Sequence, residues 1–161
     1  MVNYRFLTVW KFDAPLEKIY NTIHDSSTYH LLWKGQSPVQ SVKPGDALGV
    51  GAVRRFKTRS ALPYNLTYTG TVLEVVPNKK IVGTTVGELI GRGEWIFEEQ
   101  NGVTTVKYYW DVKTNSVSMN LLAPVLKPLF EWNHDVVMKW GGKGLAKHIG
   151  CQLIENRSTA V

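Results

Sequence analysis

The hydrophobic pattern begins with a strand and two short helices. Residues 3–12 are rich in aromatic and β-branched side chains, which is typical of a strand. Apolar residues then recur at i, i+3, i+4 and i+7, which predicts a helix over 16–23. The polar segment 25–27 ends that helix and offers a new N-cap, so a second short helix is predicted over 28–33.

The period changes to two in the middle of the chain, where turn-forming residues separate the apolar runs. Six strands are predicted there, at 38–43, 50–60, 65–76, 80–90, 93–100 and 103–113. Short connections favour antiparallel pairing, and Asn101 with Gly102 is the preferred pair for a two-residue hairpin turn. Together with the first strand, the prediction is a seven-stranded antiparallel sheet.

A helical period returns after residue 114 and predicts one long C-terminal helix that covers the sheet. Its stripe consists of Leu122, Leu126, Leu129, Asn133, Val137 and Trp140. Pro124 and Pro128 lie inside this segment, so we expect a kink or a short lead-in helix. The fold class is therefore α+β, with residues 1–152 forming one domain and residues 153–161 a disordered tail.

Alternate side chains share one face of a strand, so the alternation assigns an inner face to the sheet. The bulky aromatic side chains expected to point inward are Trp33, Phe56, Tyr68, Trp95, Tyr108 and Trp110. Strand 50–60 carries Arg54 on its inner face, whereas Arg55, Lys57 and Arg59 share the outer one. Aromatic groups with a polar tip are typical of a pocket wall and equally typical of a core, so both interpretations stay open.

Four inward polar side chains are candidates for ligand contact. The same alternation turns Arg54 and Glu88 inward, where buried charges must pair with each other, with surface partners, or with a ligand; Arg54 would orient an acidic or enolic oxygen. Asn133 is the polar member of an apolar stripe, so it contacts either a neighbouring strand or a ligand. His134 beside it could carry a proton near neutral pH.

Composition narrows the choice of partner. The 161 residues include 19 Lys and Arg against 13 Asp and Glu, and a net charge of +6 favours an acidic ligand, nucleic acid or an anionic membrane. One cysteine excludes an intramolecular disulfide, and no histidines stand at metal-ligand spacing, so no metal or cofactor is expected. The inward parity of the aromatic residues argues against specific nucleic-acid binding.

No apolar run approaches the roughly 18–20 residues of a membrane helix, and the N-terminus lacks a signal-peptide pattern. We therefore expect a cytoplasmic monomer or homodimer without membrane insertion.

The element order resembles that of the START-like, or SRPBCC, superfamily of polyketide cyclase/dehydrase and lipid-transport proteins. Segments 14–20 and 29–33 resemble its N-terminal helices, and segments 87–95 and 130–138 resemble a bacterial branch named polyketide cyclase or dehydrase. The resemblance implies a helix-grip fold, in which the sheet wraps around the long helix and leaves an internal apolar cavity. Members use that cavity for lipids, hormones, pigments or polyketides.

The leading hypothesis is a binding protein for a hydrophobic small molecule, either a lipid, an isoprenoid or an aromatic polyketide-like compound. The predicted ligand-binding residues are Trp33, Arg54, Phe56, Tyr68, Glu88, Trp95, Tyr108, Trp110, Leu126, Asn133 and His134. One alternative is a polyketide cyclase or dehydratase acting in the same cavity, for which no catalytic residue is assigned. Another is a basic interaction module that docks on a partner or an anionic surface.

Overall fold

A computed structural model describes residues 2–115 and 117–161. The chain opens with strand β1 (Asn3–Phe12), helix α1 (Leu16–His24), a single 3₁₀ turn (Ser26–Thr28) and helix α2 (Tyr29–Leu32). Six strands, one long helix and a last strand follow: β2 (Gln40–Lys43), β3 (Val53–Arg59), β4 (Asn65–Val76), β5 (Lys80–Gly87), β6 (Leu89–Gln100), β7 (Val103–Thr114), α3 (Val117–Ile149) and β8 (Leu153–Ala160).

All strands join one antiparallel sheet in the order β2-β3-β4-β5-β6-β7-β1-β8. β1 lies between β7 and β8, with Asn3 opposite Lys113 and Phe12 opposite Thr104 on the β7 side. The β6–β7 hairpin turns at Asn101 and Gly102, whose φ angles of 53° and 77° are the positive values that a tight hairpin turn requires. The helix-grip class is confirmed, with one strand more than the seven predicted.

The extra strand, β8, corrects the expectation of a disordered tail over residues 153–161. It pairs with β1 from Phe6 opposite Ala160 to Phe12 opposite Leu153, and Ser158 is buried. Glu155 on this strand also forms an ion pair with Lys11 of β1 at 3.3 Å. The sequence pattern did not predict this strand because residues 155–159 are polar. An edge strand can form its backbone hydrogen bonds with a single neighbour, here β1, and needs few apolar side chains.

Helix α3 is continuous over 33 residues and includes both Pro124 and Pro128. Of the two alternatives expected at these prolines, a kink or a lead-in helix, the separate lead-in helix is absent from the described residues. Both prolines are exposed, where the carbonyls that they leave unpaired can bind water. The buried stripe is displaced by one residue from the predicted one: Ala123 is buried, whereas Leu122 and Leu129 are 51% and 40% exposed. The first half of the helix therefore presents several leucines and valines outward.

The second half of α3 packs tightly on α2 because it carries glycine at the contact. A Cβ atom on Gly141 would lie 2.3 Å from the Trp33 ring, and one on Gly144 would lie 1.8 Å from the carbonyl oxygen of Leu32. Only glycine permits such an approach. A main apolar core forms here around Trp10, Phe12 and Leu145, and a smaller one forms around Tyr4 and Phe6 near the first half of α3.

Across the described residues, no helix combines the length and apolarity that a membrane span requires.

Candidate functional site: a cavity between the sheet and helix α3

The inner face of the sheet and helix α3 enclose a cavity of about 280 Å³. Its wall is formed by residues of β1, of β3 to β7, of all three helices and of the 3₁₀ turn, together with the β3–β4 loop. The volume is close to the lower end of the range for small-molecule pockets, roughly 300–1000 Å³. The two apolar cores described above flank this space, so the fold is packed on either side of it.

An aromatic band covers much of the cavity wall. It contains all six aromatic side chains that were expected to point inward: Trp33, Phe56, Tyr68, Trp95, Tyr108 and Trp110. Trp95 stacks on Tyr108 with ring centroids 3.9 Å apart, and Phe56 stacks on Tyr68 at 5.1 Å. The band offers flat apolar surfaces to a ligand, and its role in binding stays a prediction.

Tyrosine hydroxyls in this wall remain neutral at physiological pH. Burial raises the pKa of Tyr68 to about 12 and raises the pKa values of Tyr29 and Tyr108 well above the usual range. The Tyr29 hydroxyl donates to the carbonyl of Ile23. The tyrosines of the wall therefore supply neutral hydrogen-bonding groups, not negative charge.

Arg54 is the single lysine or arginine in the lining formed by the described residues, and that lining contains no Asp or Glu. The pleat of β3 turns Arg54 and Phe56 toward the cavity and leaves Arg55, Lys57 and Arg59 exposed on the opposite face, as the alternation predicted. Within residues 2–115 and 117–161, the guanidinium of Arg54 forms neither an ion pair nor a side-chain hydrogen bond. The cavity thus has an unneutralised positive charge in an aromatic wall.

Asn133 is buried on α3 and fastens the β3–β4 loop. Its Oδ1 accepts hydrogen bonds from the backbone N–H groups of Ala61 at 2.8 Å and Leu62 at 3.2 Å. Its Nδ2 donates to the hydroxyl of Tyr64 at 3.2 Å. The side chain also belongs to the cavity lining, and its three protein partners leave one N–H of Nδ2 without a partner among the described residues. The structural interpretation accounts for three of its four hydrogen-bonding positions, and contact with a ligand through the fourth stays a prediction.

His134 lines the cavity from the adjacent position of α3. Its ring stacks on Phe6 at 3.7 Å, and its Nδ1 lies 3.3 Å from Ser158 Oγ, which in turn lies 2.9 Å from Thr8 Oγ1. Burial lowers the pKa of His134 to about 3, so the imidazole is neutral at physiological pH. A neutral imidazole offers one donor nitrogen and one acceptor nitrogen.

Two buried hydroxyls of the lining have no hydrogen-bond partner among the described residues. They are Tyr4 Oη on β1 and Thr85 Oγ1 on β5, and both residues are more than nine-tenths buried. A buried hydroxyl without a partner destabilises a protein by about 1–3 kcal/mol. A ligand oxygen or a bound water in the cavity would remove that penalty.

Two of the predicted ligand-binding residues lie outside the cavity lining. Glu88 is exposed between β5 and β6 and accepts a hydrogen bond from the backbone N–H of Thr67, so it does not pair with Arg54. The assumed strand 80–90 ends at Gly87, whose φ of 115° breaks the alternation on which the prediction rested. Leu126 is absent from the lining because of the one-residue displacement of the helix stripe.

Several lining residues escaped the sequence prediction. Tyr4 and Phe6 follow the alternation of β1, which is the same signal that predicts the inner faces of the later strands. Phe130 and Met119 belong to the true buried stripe of α3. Ser158 approaches His134 from a segment that was expected to be disordered.

Among residues 2–115 and 117–161, no group of three or more His, Cys, Asp or Glu side chains is arranged so that it could hold a metal ion.

Comparison with known proteins identifies relatives at the level of family and fold. The family model for activator of Hsp90 ATPase homolog 1-like protein matches residues 13–120. No curated protein matches the sequence significantly.

Solved structures show the same fold at low identity. TTHA0849 from Thermus thermophilus is 15% identical, with a TM-score of 0.72 over 89% of this chain and 98% of its own. The ZhuI aromatase/cyclase from Streptomyces sp. R1128 is 14% identical, with a TM-score of 0.72 over 92% of this chain and 94% of its own.

The di-domain ARO/CYC BexL from the BE-7585A biosynthetic pathway is 18% identical, with a TM-score of 0.71 over 93% of this chain and 51% of its own. The family match spans well over half of the chain, and these structures share its sheet-and-helix architecture. The chain therefore belongs to the activator of Hsp90 ATPase homolog 1-like family within the START-like (SRPBCC) superfamily.

Proposed function

We propose that the protein binds and carries a hydrophobic small molecule with an acidic or enolic oxygen, and that this oxygen lies against Arg54. Lipid acids, isoprenoid acids and aromatic polyketide-like compounds fit this description. The flat aromatic band would contact the apolar body of the ligand. Membership of a superfamily that uses this cavity for apolar molecules supports the proposal.

The observation that carries the proposal is the state of Arg54. A buried or half-buried cation without a counter-ion destabilises the empty protein, and an anionic ligand oxygen would remove that penalty. A guanidinium also binds carboxylates and enolates through two parallel hydrogen bonds. Among the described residues, the lining holds no carboxylate that competes for this role.

The unpartnered hydroxyls refine the ligand further. Tyr4 Oη and Thr85 Oγ1 each need a hydrogen-bond partner inside the cavity wall. A ligand with one or more oxygens besides the acidic group would provide them, whereas a plain hydrocarbon chain would not. Oxygenated aromatic compounds therefore fit better than simple fatty acids.

The test compares two fluorescent probes on matched variants. Anilinonaphthalene sulfonate is apolar and anionic, whereas Nile red is apolar and neutral. Arg54→Met removes the charge and keeps an apolar stem, and Arg55→Met makes the same change on the exposed face of the same strand. We expect Arg54→Met to weaken binding of the anionic probe by about tenfold or more and to leave Nile red binding unchanged.

Arg55→Met should bind both probes as the wild type does. If neither probe binds saturably to the wild type, or if both variants bind the anionic probe alike, the proposal is wrong. If the probes instead behave as expected, mass spectrometry of the compound extracted from purified protein would identify the natural ligand class.

A second candidate is a cyclase or dehydratase acting on such a ligand, favoured by the presence of Arg54 and neutral His134 in one cavity lining. Two of the structural relatives bear the name aromatase/cyclase or ARO/CYC. In this role Arg54 would stabilise an enolate oxygen, and His134 would exchange a proton with the reacting chain. The test is to incubate the protein with a poly-ketone compound and to measure the mass of the compound that is recovered. A product that has lost one water would support catalysis, and an unchanged compound would support the carrier function.

A further inference from the structure

The first half of α3 presents an apolar surface to solvent that the cavity does not explain. We call it the apolar stripe, and it consists of Val117, Leu121, Leu122, Val125, Leu129 and Trp132. Val117, Leu121 and Val125 are 85%, 78% and 80% exposed, and the other three are 40–51% exposed. Monomeric proteins rarely leave contiguous apolar surface of this kind uncovered, and such surface marks an interaction site.

The same side of the helix becomes cationic in its second half. Steps of four and seven residues keep side chains on one side of a helix, and such steps lead from Trp132 to a row of three lysines. This lysine row consists of Lys139, Lys143 and Lys147. Lys143 and Lys147 are exposed and form no ion pair within the described residues, while Lys139 pairs with Asp135 at 3.0 Å.

We propose that this side of α3 docks on the surface of an anionic phospholipid bilayer. The apolar stripe would enter the outer edge of the hydrocarbon, and the lysine row would lie on the acidic headgroups. Trp132 stands at the border between the two parts, and tryptophan favours the level of the headgroups. The net charge of +6 adds attraction to an anionic bilayer and opposes docking of a second copy on the same surface.

The position of the stripe relative to the cavity gives this docking a purpose. Met119, Phe130 and His134 on the opposite side of the same helix segment line the cavity. A docked molecule would therefore hold its ligand about one helix diameter, roughly 10 Å, from the bilayer. The proposal of membrane docking does not depend on the proposed carrier function. Only the suggestion that docking brings a bound ligand near the bilayer rests on the carrier function.

The test measures co-sedimentation with vesicles of phosphatidylcholine, with and without phosphatidylserine. Two double variants address the two parts of the surface: Leu121→Ser with Val125→Ser, and Lys143→Glu with Lys147→Glu. We expect the wild type to bind the anionic vesicles and not the neutral ones, with weaker binding as salt rises. Each double variant should weaken binding by about tenfold or more.

Matched controls make the same chemical changes elsewhere. Leu73→Ser with Val86→Ser alters two apolar side chains of the sheet that are 50% and 58% exposed. Lys57→Glu with Arg59→Glu changes the net charge equally on the exposed face of β3. The apolar control should bind anionic vesicles within about twofold of the wild type. The charge control should weaken binding less than the matched change in the lysine row does, because it alters the net charge equally but lies away from the docking surface.

Three outcomes would overturn the proposal. The first is failure of the wild type to bind anionic vesicles, and the second is binding of the helix variants that equals binding of the controls. A wild-type dimer that Leu121→Ser with Val125→Ser converts to a monomer, without vesicle binding, would instead assign the stripe to a second copy. Nile red binding without vesicles, measured on the same variants, reports the cavity separately, so failure of docking is distinguishable from failure of the carrier function.

Discussion

Asn133 connects the buried side of α3 to the β3–β4 loop through three hydrogen bonds. The loop carries Tyr64, which is part of the cavity lining, and so its position determines the shape of one side of the cavity. The side-chain amide of Asn133 thus anchors the β3–β4 loop, which is a part of the cavity wall outside the strands. This is a structural role, and a direct contact of Asn133 with a ligand stays a prediction.

Asn133→Leu should lower the free energy of unfolding by about 1–3 kcal/mol, because it leaves the N–H group of Ala61 without an acceptor. The N–H group of Leu62 loses one of its two acceptors and keeps Ser60 Oγ at 3.1 Å. Urea denaturation measures this loss, and Asn21→Leu on the exposed side of α1 is the control. Amide hydrogen exchange gives a local readout, since protection at residues 61 and 62 should fall more than protection in β7. An unchanged stability with lost ligand affinity would return Asn133 to the ligand contacts.

His134 makes stability depend on pH through its lowered pKa of about 3. The unfolded chain binds a proton at His134 below about pH 6.5, whereas the folded chain does so only near pH 3. The unfolded state therefore binds more protons between these values, and folding stability falls as the pH falls through this window. Above about pH 6.5 the full contribution is present.

Replacement by glutamine should remove this dependence. Between pH 7 and pH 4 the wild type should lose about 2–3 kcal/mol more stability than His134→Gln does. Denaturation curves of both proteins at the two pH values give the change in unfolding free energy with pH for each protein. The variant loses the stacking contact with Phe6 at both pH values, so this loss does not affect the comparison. Parallel pH dependence of the two proteins would show that His134 titrates normally in the fold.

Helix α3 has two different functions along its length. Its first half separates the cavity from solvent, whereas its second half is fastened to α2 and β8 by close contacts. Asn156 of β8 donates a hydrogen bond to the carbonyl of Lys139 at 3.0 Å, which adds a polar contact to that packing. Helix α2 packs on this second half, whereas α1 is bonded directly to the sheet, where the N–H of Leu16 donates to Glu99 of β6 at 2.8 Å.

Gly144→Ala tests that attachment. Alanine stabilises an isolated helix by about 1 kcal/mol relative to glycine, but its Cβ would lie 1.8 Å from the Leu32 carbonyl oxygen, a backbone atom that cannot move alone. The collision should dominate and lower the free energy of unfolding by about 1–3 kcal/mol. Lys143→Ala on the exposed side is the matched control, and equal stability of the two variants would mean that α2 is free to shift.

Sequence periodicity predicted those elements in which alternation and burial coincide. In β7, Val106, Tyr108 and Trp110 alternate with polar residues, and the structure turns all three to the inner side. The same reasoning failed for Glu88, because the positive φ of Gly87 interrupts the alternation of the strand. The pattern of apolar and polar residues does not reveal that positive φ. The phase of α3 was wrong for a related reason, since apolar residues occur on both its sides.

The candidate site was predictable to the extent that it depends on strand parity. Arg54 and the strand members of the aromatic band follow from alternation alone, and they line the cavity. The contacts of His134 with Ser158, and of Asn133 with the β3–β4 loop, join residues far apart in sequence through tertiary packing. Local patterns contain no information about such pairs.

The central place of β1 in the sheet has a consequence for the order of folding. β1 is made first, but both strands that flank it are β7 and β8, which follow roughly a hundred residues or more later. During synthesis the apolar side chains of β1, including Trp10 and Phe12, are exposed without the neighbouring strands β7 and β8 until most of the chain has left the ribosome. Slow closure of such distant contacts favours contact with chaperones and aggregation of the nascent chain.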